Sequence, residues 1–194
     1  MTLFLAKLIW SLGVVVATAI RYPYGRRSRH VAKLRRVDSG YEYGLLAAYA
    51  VGLGMLPAVY VTTNQPAFAG YQFQPALAWL GCGVFALALY LFHRSHRDLG
   101  RNWAATLVVR EQHALVTTGI YRWLRHPMYS SFLLAAVAQA LLLPNWIAGP
   151  AGLVGFGIFY FGRVRREENM MIETFGDDYR RYMANTSRII PGIE

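Results

Sequence analysis

The sequence predicts an all-α integral membrane protein with about five transmembrane helices, a C-terminal helical hairpin and a cytoplasmic tail. Of its 194 residues, 55% are hydrophobic and only 15% are charged. Five apolar runs contain no acidic residue, and they cover residues 3–20, 44–61, 76–92, 128–143 and 146–161. A helix of about 20 apolar residues crosses a hydrocarbon core of about 30 Å. We therefore expect one membrane domain over residues 1–194.

The first three runs are long enough to span, and they place three helices within residues 3–92. No basic residue precedes the first run and several follow it, which is the reverse of a secretory signal, so we expect a retained span. Lys7 lies near the end of that run, where its long side chain can extend to the interface. The single cysteine, Cys82, excludes an intramolecular disulfide.

The last two runs are slightly shorter, and we interpret them as a tight hairpin over residues 128–161 that turns at residues 143–145. Its small residues are expected to frame a lateral entrance for a lipophilic molecule: Gly149, Ala151, Gly152 and Gly155. The final helix should continue past the membrane until Gly176 ends it, with a short amphipathic turn after that. Weak alternation over residues 94–119 favours a compact cytoplasmic segment without a strand.

The charge asymmetry of the loops sets the predicted orientation. Residues 21–43 carry seven Lys or Arg, residues 93–127 carry six Arg, and residues 62–75 carry no charge. The positive-inside rule places both basic loops and the C-terminus in the cytoplasm and the N-terminus outside. This orientation explains the net charge of +10. A nucleic-acid partner would instead require a basic face on a soluble fold, so none is expected.

Residues 119–129 contain basic and aromatic side chains directly before an apolar run. A charged side chain is costly to place beside hydrocarbon, so one that is found there usually has a function. Pro127 lacks an N–H and restricts His126 to an extended conformation, which fixes where the next helix begins. The first amides of that helix, with Arg125 and His126 beside them, could bind an anionic group. The alternative is a juxtamembrane cap in which Arg125 contacts lipid phosphate and His126 a carbonyl.

A second polar cluster, residues 163–168, follows the last apolar run, and the two clusters bracketing one hairpin suggest a single site. Arg163, Arg166 and Glu167 fall on neighbouring faces of one helix. Glu167 could hold a cationic ligand group and an arginine a carboxylate, the latter bidentately. The alternative is a set of helix salt bridges outside the membrane.

Metal and nucleotide chemistry find little support in the pattern. Four side chains before the first cluster match no strong metal-ligand spacing, so no metal is predicted: His93, His96, Asp98 and His113. The phosphate-binding, zinc-protease and serine-hydrolase motifs are absent from the sequence.

Four motifs in residues 111–191 together resemble the isoprenylcysteine carboxyl methyltransferase family, whose relatives include phospholipid N-methyltransferases of the membrane. They are His113-Ala-Leu-Val-Thr-Thr-Gly-Ile-Tyr121, Arg125-His126-Pro127-Met-Tyr129, Glu167-Glu168 and Phe175-Gly-Asp-Asp-Tyr179. The resemblance implies S-adenosylmethionine as the cofactor and the C-terminal carboxylate of a prenylated cysteine, or a similar lipophilic acid, as the acceptor. It also implies that residues 93–194 form the cofactor-binding catalytic region.

Carried over by position, the resemblance implies a set of cofactor contacts: His113, Gly119, Tyr121, Arg125, His126, Pro127, Tyr129 and Glu167 or Glu168. Glu167 or Glu168 would hold the cofactor's ammonium group, and Arg163 would orient the substrate anion. The chain has Ser131 where the family often has glycine, which bears on close helix packing or on the methyl-transfer channel. Two other functions remain open: lipid amine methylation and a non-catalytic lipid-binding scaffold.

Overall fold

The computed structural model describes residues 1–28, 33–36, 39–103, 108–110 and 114–193. Over these residues the chain is largely helical. The α-helices are α1 (Leu3–Ser28), α2 (Ser39–Ala50), α3 (Leu56–Thr63), α4 (Pro75–Leu99), α5 (Pro127–Leu142), α6 (Ala151–Phe175) and α7 (Asp177–Asn185). Two short strands, β1 (Lys33–Arg36) and β2 (Val108–Arg110), pair antiparallel. The expectation of a compact segment without a strand is therefore wrong at residues 108–110, because the pairing partner lies far away in sequence.

Three helical stretches are long and apolar enough to cross a membrane: Leu3–Ser28, Gly40–Thr63 and Pro75–Leu99. They correspond to the three predicted N-terminal spans. Helix α5 is apolar but has only 16 residues. The count of five spans stays a prediction.

The second of these stretches is interrupted by a π-helical turn, Val51–Met55, between α2 and α3. The backbone oxygen of Gly52 accepts a hydrogen bond of 3.0 Å from Gln139 Nε2 of α5. A side chain at Gly52 would collide with Ala151, because an added Cβ would lie 2.4 Å from its carbonyl oxygen. The turn thus lets this stretch pack closely on α6, where a π-turn re-directs the backbone.

The turn of the C-terminal hairpin is longer than predicted. Helix α5 ends at Leu142, and α6 begins only at Ala151. Asn145 organises the turn, since its Oδ1 accepts the N–H groups of Ile147 at 3.0 Å and Ala148 at 2.9 Å. An asparagine that bonds the backbone just ahead of it competes with helix formation. The prediction of helix over residues 146–150 is therefore wrong.

The small residues of α6 bring helices together. An added Cβ at Gly155 would lie 2.7 Å from the carbonyl oxygen of Ala48 in α2, and one at Gly152 would lie 3.1 Å from Gln139 Nε2 in α5. Helix α6 consequently packs against both α2 and α5, whereas α1 packs against α4 and α5. The structure shows close packing of α6 at these glycines. The lateral entrance that they are expected to frame stays a prediction.

The end of α6 lies where the sequence predicts it. The helix ends at Phe175, and Gly176 has φ 57° and donates its N–H to the Ile172 oxygen at 2.8 Å. Glycine is favoured at this left-handed position because it has no Cβ to clash. Helix α7 follows directly, so the predicted helix end and second amphipathic element are confirmed.

Lys7 does not simply extend to the interface as expected. Its side chain is buried, and its Nζ donates hydrogen bonds to the Tyr60 oxygen at 3.2 Å and to Asn64 Oδ1 at 2.5 Å. Its Nζ also lies 3.4 Å from the oxygen of Val61, one of the carbonyls at the C-terminal end of α3 that lack partners within the helix. The lysine therefore caps a neighbouring helix.

Candidate active site

A cavity of about 150 Å³ lies where the N-terminal end of α5, the middle of α6 and the ends of α1 and α4 converge. It is lined by both polar clusters that the sequence singles out. The lining contains the charged or polar side chains of Arg21, Arg125, His126, Arg163 and Glu167, and the aromatic side chains of Tyr49, Trp103, Tyr121, Tyr129, Phe132, Phe159, Tyr179 and Tyr182. Residues of both clusters therefore line one cavity.

The segment before α5 is held by the C-terminal tail, which consists of α7 and the residues that follow it. The N–H groups of Arg125 and His126 donate to the carbonyls of Ser187 at 2.8 Å and Arg188 at 2.9 Å. The Arg125 Nη1 also donates to the Met183 oxygen at 2.7 Å and to the oxygen of Thr186. Arg125 thus contacts protein carbonyls, which differs from the lipid-phosphate contact of the alternative interpretation.

Glu168 joins the tail to this segment. Its carboxylate accepts hydrogen bonds from Arg188 at 2.9 and 3.1 Å and from Arg125 Nε at 3.4 Å, and it lies 3.3 Å from His126 Nε2. It is almost fully buried and lies beyond the apolar run that ends at residue 161. Burial alone would raise the pKa of Glu168, but His126 and Arg188 outweigh it and lower the pKa to about 2. Glu168 is therefore an ionised clamp on the tail.

Glu167, the next residue along α6, faces the cavity. It accepts a hydrogen bond of 2.5 Å from the Tyr129 hydroxyl, and its carboxylate lies 3.5 Å from Arg163 Nε and 3.9 Å from His126 Nδ1. Burial would raise the pKa of Glu167, but the charges of His126 and Arg163 and the Tyr129 hydrogen bond lower it overall. The cavity thus contains an oriented carboxylate.

Arg163 lies between two carboxylates. Its Nη1 is 2.7 Å from Glu42 Oε1, at the start of α2, in addition to the Glu167 contact. The side chains of both Arg163 and Glu42 are less than a tenth exposed. Glu42 belongs to no motif of the sequence; the signal that could have found it is its position at the head of an apolar run, where ionisable groups are usually functional. The Arg166 guanidinium instead stacks 4.0 Å from the Tyr41 ring.

Of the two predicted cofactor contacts at residues 119 and 121, Tyr121 lines the cavity and Gly119 does not. Gly119 has φ 62°, and an added Cβ would lie 2.3 Å from Asp98 Oδ2, which accepts the Ile120 N–H at 3.0 Å. Gly119 therefore supports a turn. Tyr121 lines the cavity, and its carbonyl accepts a hydrogen bond from Tyr182 at 2.5 Å. The predicted cofactor contact His113 lies outside the described residues.

Several lining residues were missed because they are far apart in sequence. Arg21 of α1 lies 5.4 Å from the Trp103 ring, and Trp103 in turn lies 5.0 Å from the buried His96 ring. His96 Nδ1 is 2.8 Å from the Phe92 oxygen, an ordinary contact within a helix. Among the described residues, no three His, Cys, Asp or Glu side chains cluster as a metal site would require.

The departure at Ser131 is accommodated within α5. Its hydroxyl donates a hydrogen bond of 2.7 Å to the Met128 oxygen in the preceding turn, and the residue is 2% exposed. The serine therefore satisfies its polar group within the helix.

Fold and site together define a helical protein with three helices capable of crossing a membrane and a charged, aromatic cavity near one end of them. The model of the isoprenylcysteine carboxyl methyltransferase (ICMT) family matches residues 79–173. The resemblance that the motifs predict is confirmed over this region.

Individual relatives agree with the family match. The chain is 36% identical over 88 residues to the protein-S-isoprenylcysteine O-methyltransferase of Dictyostelium discoideum, which covers 43% of this chain and 35% of that protein. It is 33% identical over 120 residues to the protein of the same name from Saccharomyces cerevisiae. This aligned region covers 59% of this chain and 48% of the relative. The chain thus spans between about a third and a half of the length of these relatives.

Proposed function

We propose that this protein transfers a methyl group from S-adenosylmethionine to the C-terminal carboxylate of a prenylated cysteine, or of a similar lipophilic acid. The observation that carries the proposal is the pairing of Glu167 and Arg163 in one aromatic cavity beside apolar helices. The names of the matched relatives supply the reaction type. We place the site at the cytoplasmic membrane face, with the N-terminus outside and five crossings.

The donor set of the cavity fits this cofactor. Glu167 can pair with its ammonium group, and His126 or the N–H of Met128 at the start of α5 can meet its carboxylate. Tyr129 and Phe159, which pack edge to face with ring centroids 5.7 Å apart, add aromatic surface of the kind that attracts a sulfonium cation. Glu168 does not line the cavity and is already bonded to Arg188, Arg125 and His126, so we assign the ammonium contact to Glu167.

The protein's own contribution is positioning and the exclusion of water. When bound, S-adenosylmethionine supplies an electrophilic methyl group on a sulfonium. The acceptor carboxylate is ionised at neutral pH, so the site needs no general base. Arg163 orients that anion, and the aromatic walls keep water out while opposite charges are neutralised in the transition state.

We infer that a lipophilic acceptor reaches the cavity from the bilayer between α1 and α2. Helix α1 packs against α4 and α5, while α2 packs against α6. The cavity lining includes Arg21 from α1 and Leu46 and Tyr49 from α2. The glycine contacts pack α2 closely against α6, so we place the entrance on the side of α2 that faces α1.

Two measurements test the proposal. Isothermal titration with S-adenosylhomocysteine in detergent should show binding, and its absence would favour a lipid-binding scaffold. A methylation assay should then compare N-acetyl-S-farnesylcysteine, its geranyl analogue, unprenylated N-acetylcysteine and phosphatidylethanolamine. Activity should rise with prenyl length, because each buried CH₂ contributes about 0.8 kcal/mol. Methylation of the amine lipid alone would support the alternative function, lipid amine N-methylation.

A further inference from the structure

Glu42 lies outside residues 79–173, the region matched by the family, yet it contacts a residue of the cavity. It occupies the first turn of α2, and its carboxylate oxygen is 2.7 Å from Arg163 Nη1. Glu42 is 5% exposed and Arg163 is 6% exposed. A buried carboxylate at the head of an apolar helix is costly to maintain, which makes it a candidate functional group.

The backbone of α6 is pressed against α2 at the same level. An added Cβ at Gly162 would lie 2.7 Å from Leu45 Cδ2 and 2.9 Å from the Tyr41 hydroxyl. Because Gly162 immediately precedes Arg163, the arginine leaves α6 where side chains of α2 pack directly against the α6 backbone. Its guanidinium therefore has a restricted path, with Glu42 on one side and Glu167 on the other.

We propose that Glu42 is a positioning residue for methyl transfer, which holds the Arg163 guanidinium at the angle required to orient the acceptor carboxylate. This inference rests on the proposed function and extends it to the N-terminal half of the chain. A guanidinium presents its N–H donors in a rigid plane, so a carboxylate that fixes one edge of the plane also sets the direction of the rest.

Loss of the Glu42 carboxylate should affect kcat and the acceptor KM differently. Glu42→Gln removes a negative charge beside Arg163 and so does not weaken the attraction between Arg163 and an anionic acceptor. What it removes is the charge-assisted hold on the guanidinium. We therefore expect kcat to fall about tenfold or more, since small misplacements of a positioning group are expensive. The KM for the acceptor should stay within about threefold of wild type, because the attraction is retained.

The experiment uses the full chain in detergent, with N-acetyl-S-farnesylcysteine as acceptor and S-adenosylhomocysteine as the binding probe. Three variants are compared with wild type: Glu42→Gln, Glu42→Asp and Asp177→Asn. The last is the control, because Asp177 is also an acidic residue in the first turn of a helix but is exposed and does not line the cavity. Glu42→Asp keeps the charge on a shorter side chain, and its kcat should lie between those of wild type and Glu42→Gln.

A fall in kcat with near-normal acceptor KM and near-normal S-adenosylhomocysteine affinity supports the role of Glu42. An unchanged kcat, or a parallel weakening of kcat, acceptor KM and S-adenosylhomocysteine binding, overturns it, since the latter reports general loosening of the fold. If Glu42→Gln does not fold, Glu42→Asp decides in the same way. A wild-type protein that binds S-adenosylhomocysteine but methylates no prenylcysteine refutes the proposed function itself, which is a separate outcome.

Discussion

Replacing Glu168 by glutamine should destabilise the protein by about 3 kcal/mol at neutral pH. The folded state lowers the pKa of Glu168 from 4.5 to about 2, and one pKa unit corresponds to about 1.4 kcal/mol. Breaking a buried ion pair independently predicts about 3–5 kcal/mol, because the remaining charges lose their partner. The groups that lose their partner are His126, which lowers the pKa of Glu168 most, and Arg125 and Arg188, whose contacts join the tail to the segment before α5.

The pH dependence of this loss has a defined sign. Because the pKa of Glu168 is depressed in the folded state, its stabilisation is fully present above about pH 4.5 and is lost as the pH falls toward 2. Glutamine does not titrate, so the difference between wild type and Glu168→Gln should shrink across that window.

The assay is unfolding in mixed micelles with a rising fraction of dodecyl sulfate, followed by tryptophan fluorescence, at pH 7 and at pH 3. The control is Asp178→Asn, which removes an exposed carboxylate from a surface pair with Arg181 and should cost less than about 1 kcal/mol. A loss below about 1 kcal/mol for Glu168→Gln at pH 7, or a difference from wild type that grows on acidification, would refute the clamp.

Three further predictions concern the cavity and the membrane. His126→Ala and Glu167→Ala should each weaken S-adenosylhomocysteine binding by about 1–3 kcal/mol in titration calorimetry, because each removes a partner of a charged ligand group; wild-type affinity in both would place the cofactor elsewhere. Leu46→Trp should slow turnover of the farnesyl acceptor more than it weakens S-adenosylhomocysteine binding, since it enlarges a lining side chain on the entry route that we propose beside α2; equal turnover would exclude that route. Single cysteines at Gln65 and Asn185 should be labelled from opposite sides of the membrane, and labelling from the same side would contradict the five-span orientation.

Features that depend on neighbouring residues were predictable from the sequence. The apolar runs locate the three helices that can cross a membrane. Pro127 begins α5 and Gly176 ends α6, because each acts through its own backbone preferences. The two polar clusters that the sequence singles out both contribute residues to the lining of one cavity.

Only the tertiary structure shows which of the two adjacent glutamates faces the cavity and which one faces the tail. Consecutive residues on a helix point about 100° apart. Glu167 consequently faces Tyr129 and the cavity, while Glu168 faces Arg188 in the tail. The sequence offered them as equivalent alternatives because nothing local distinguishes their surroundings.

The contribution of the N-terminal half was also invisible before folding. Glu42 reaches Arg163 across 120 residues of chain, and Arg21 of α1 meets Trp103, which follows α4, in the cavity wall. Local periodicity determines which segments become helices and where they end. The faces that meet depend on the packing of side chains against partners distant in sequence, such as Gly52 and Gly155 at the contact between the α2–α3 stretch and α6. Hydropathy therefore determined the membrane helices of this protein, and close packing between them determined its site.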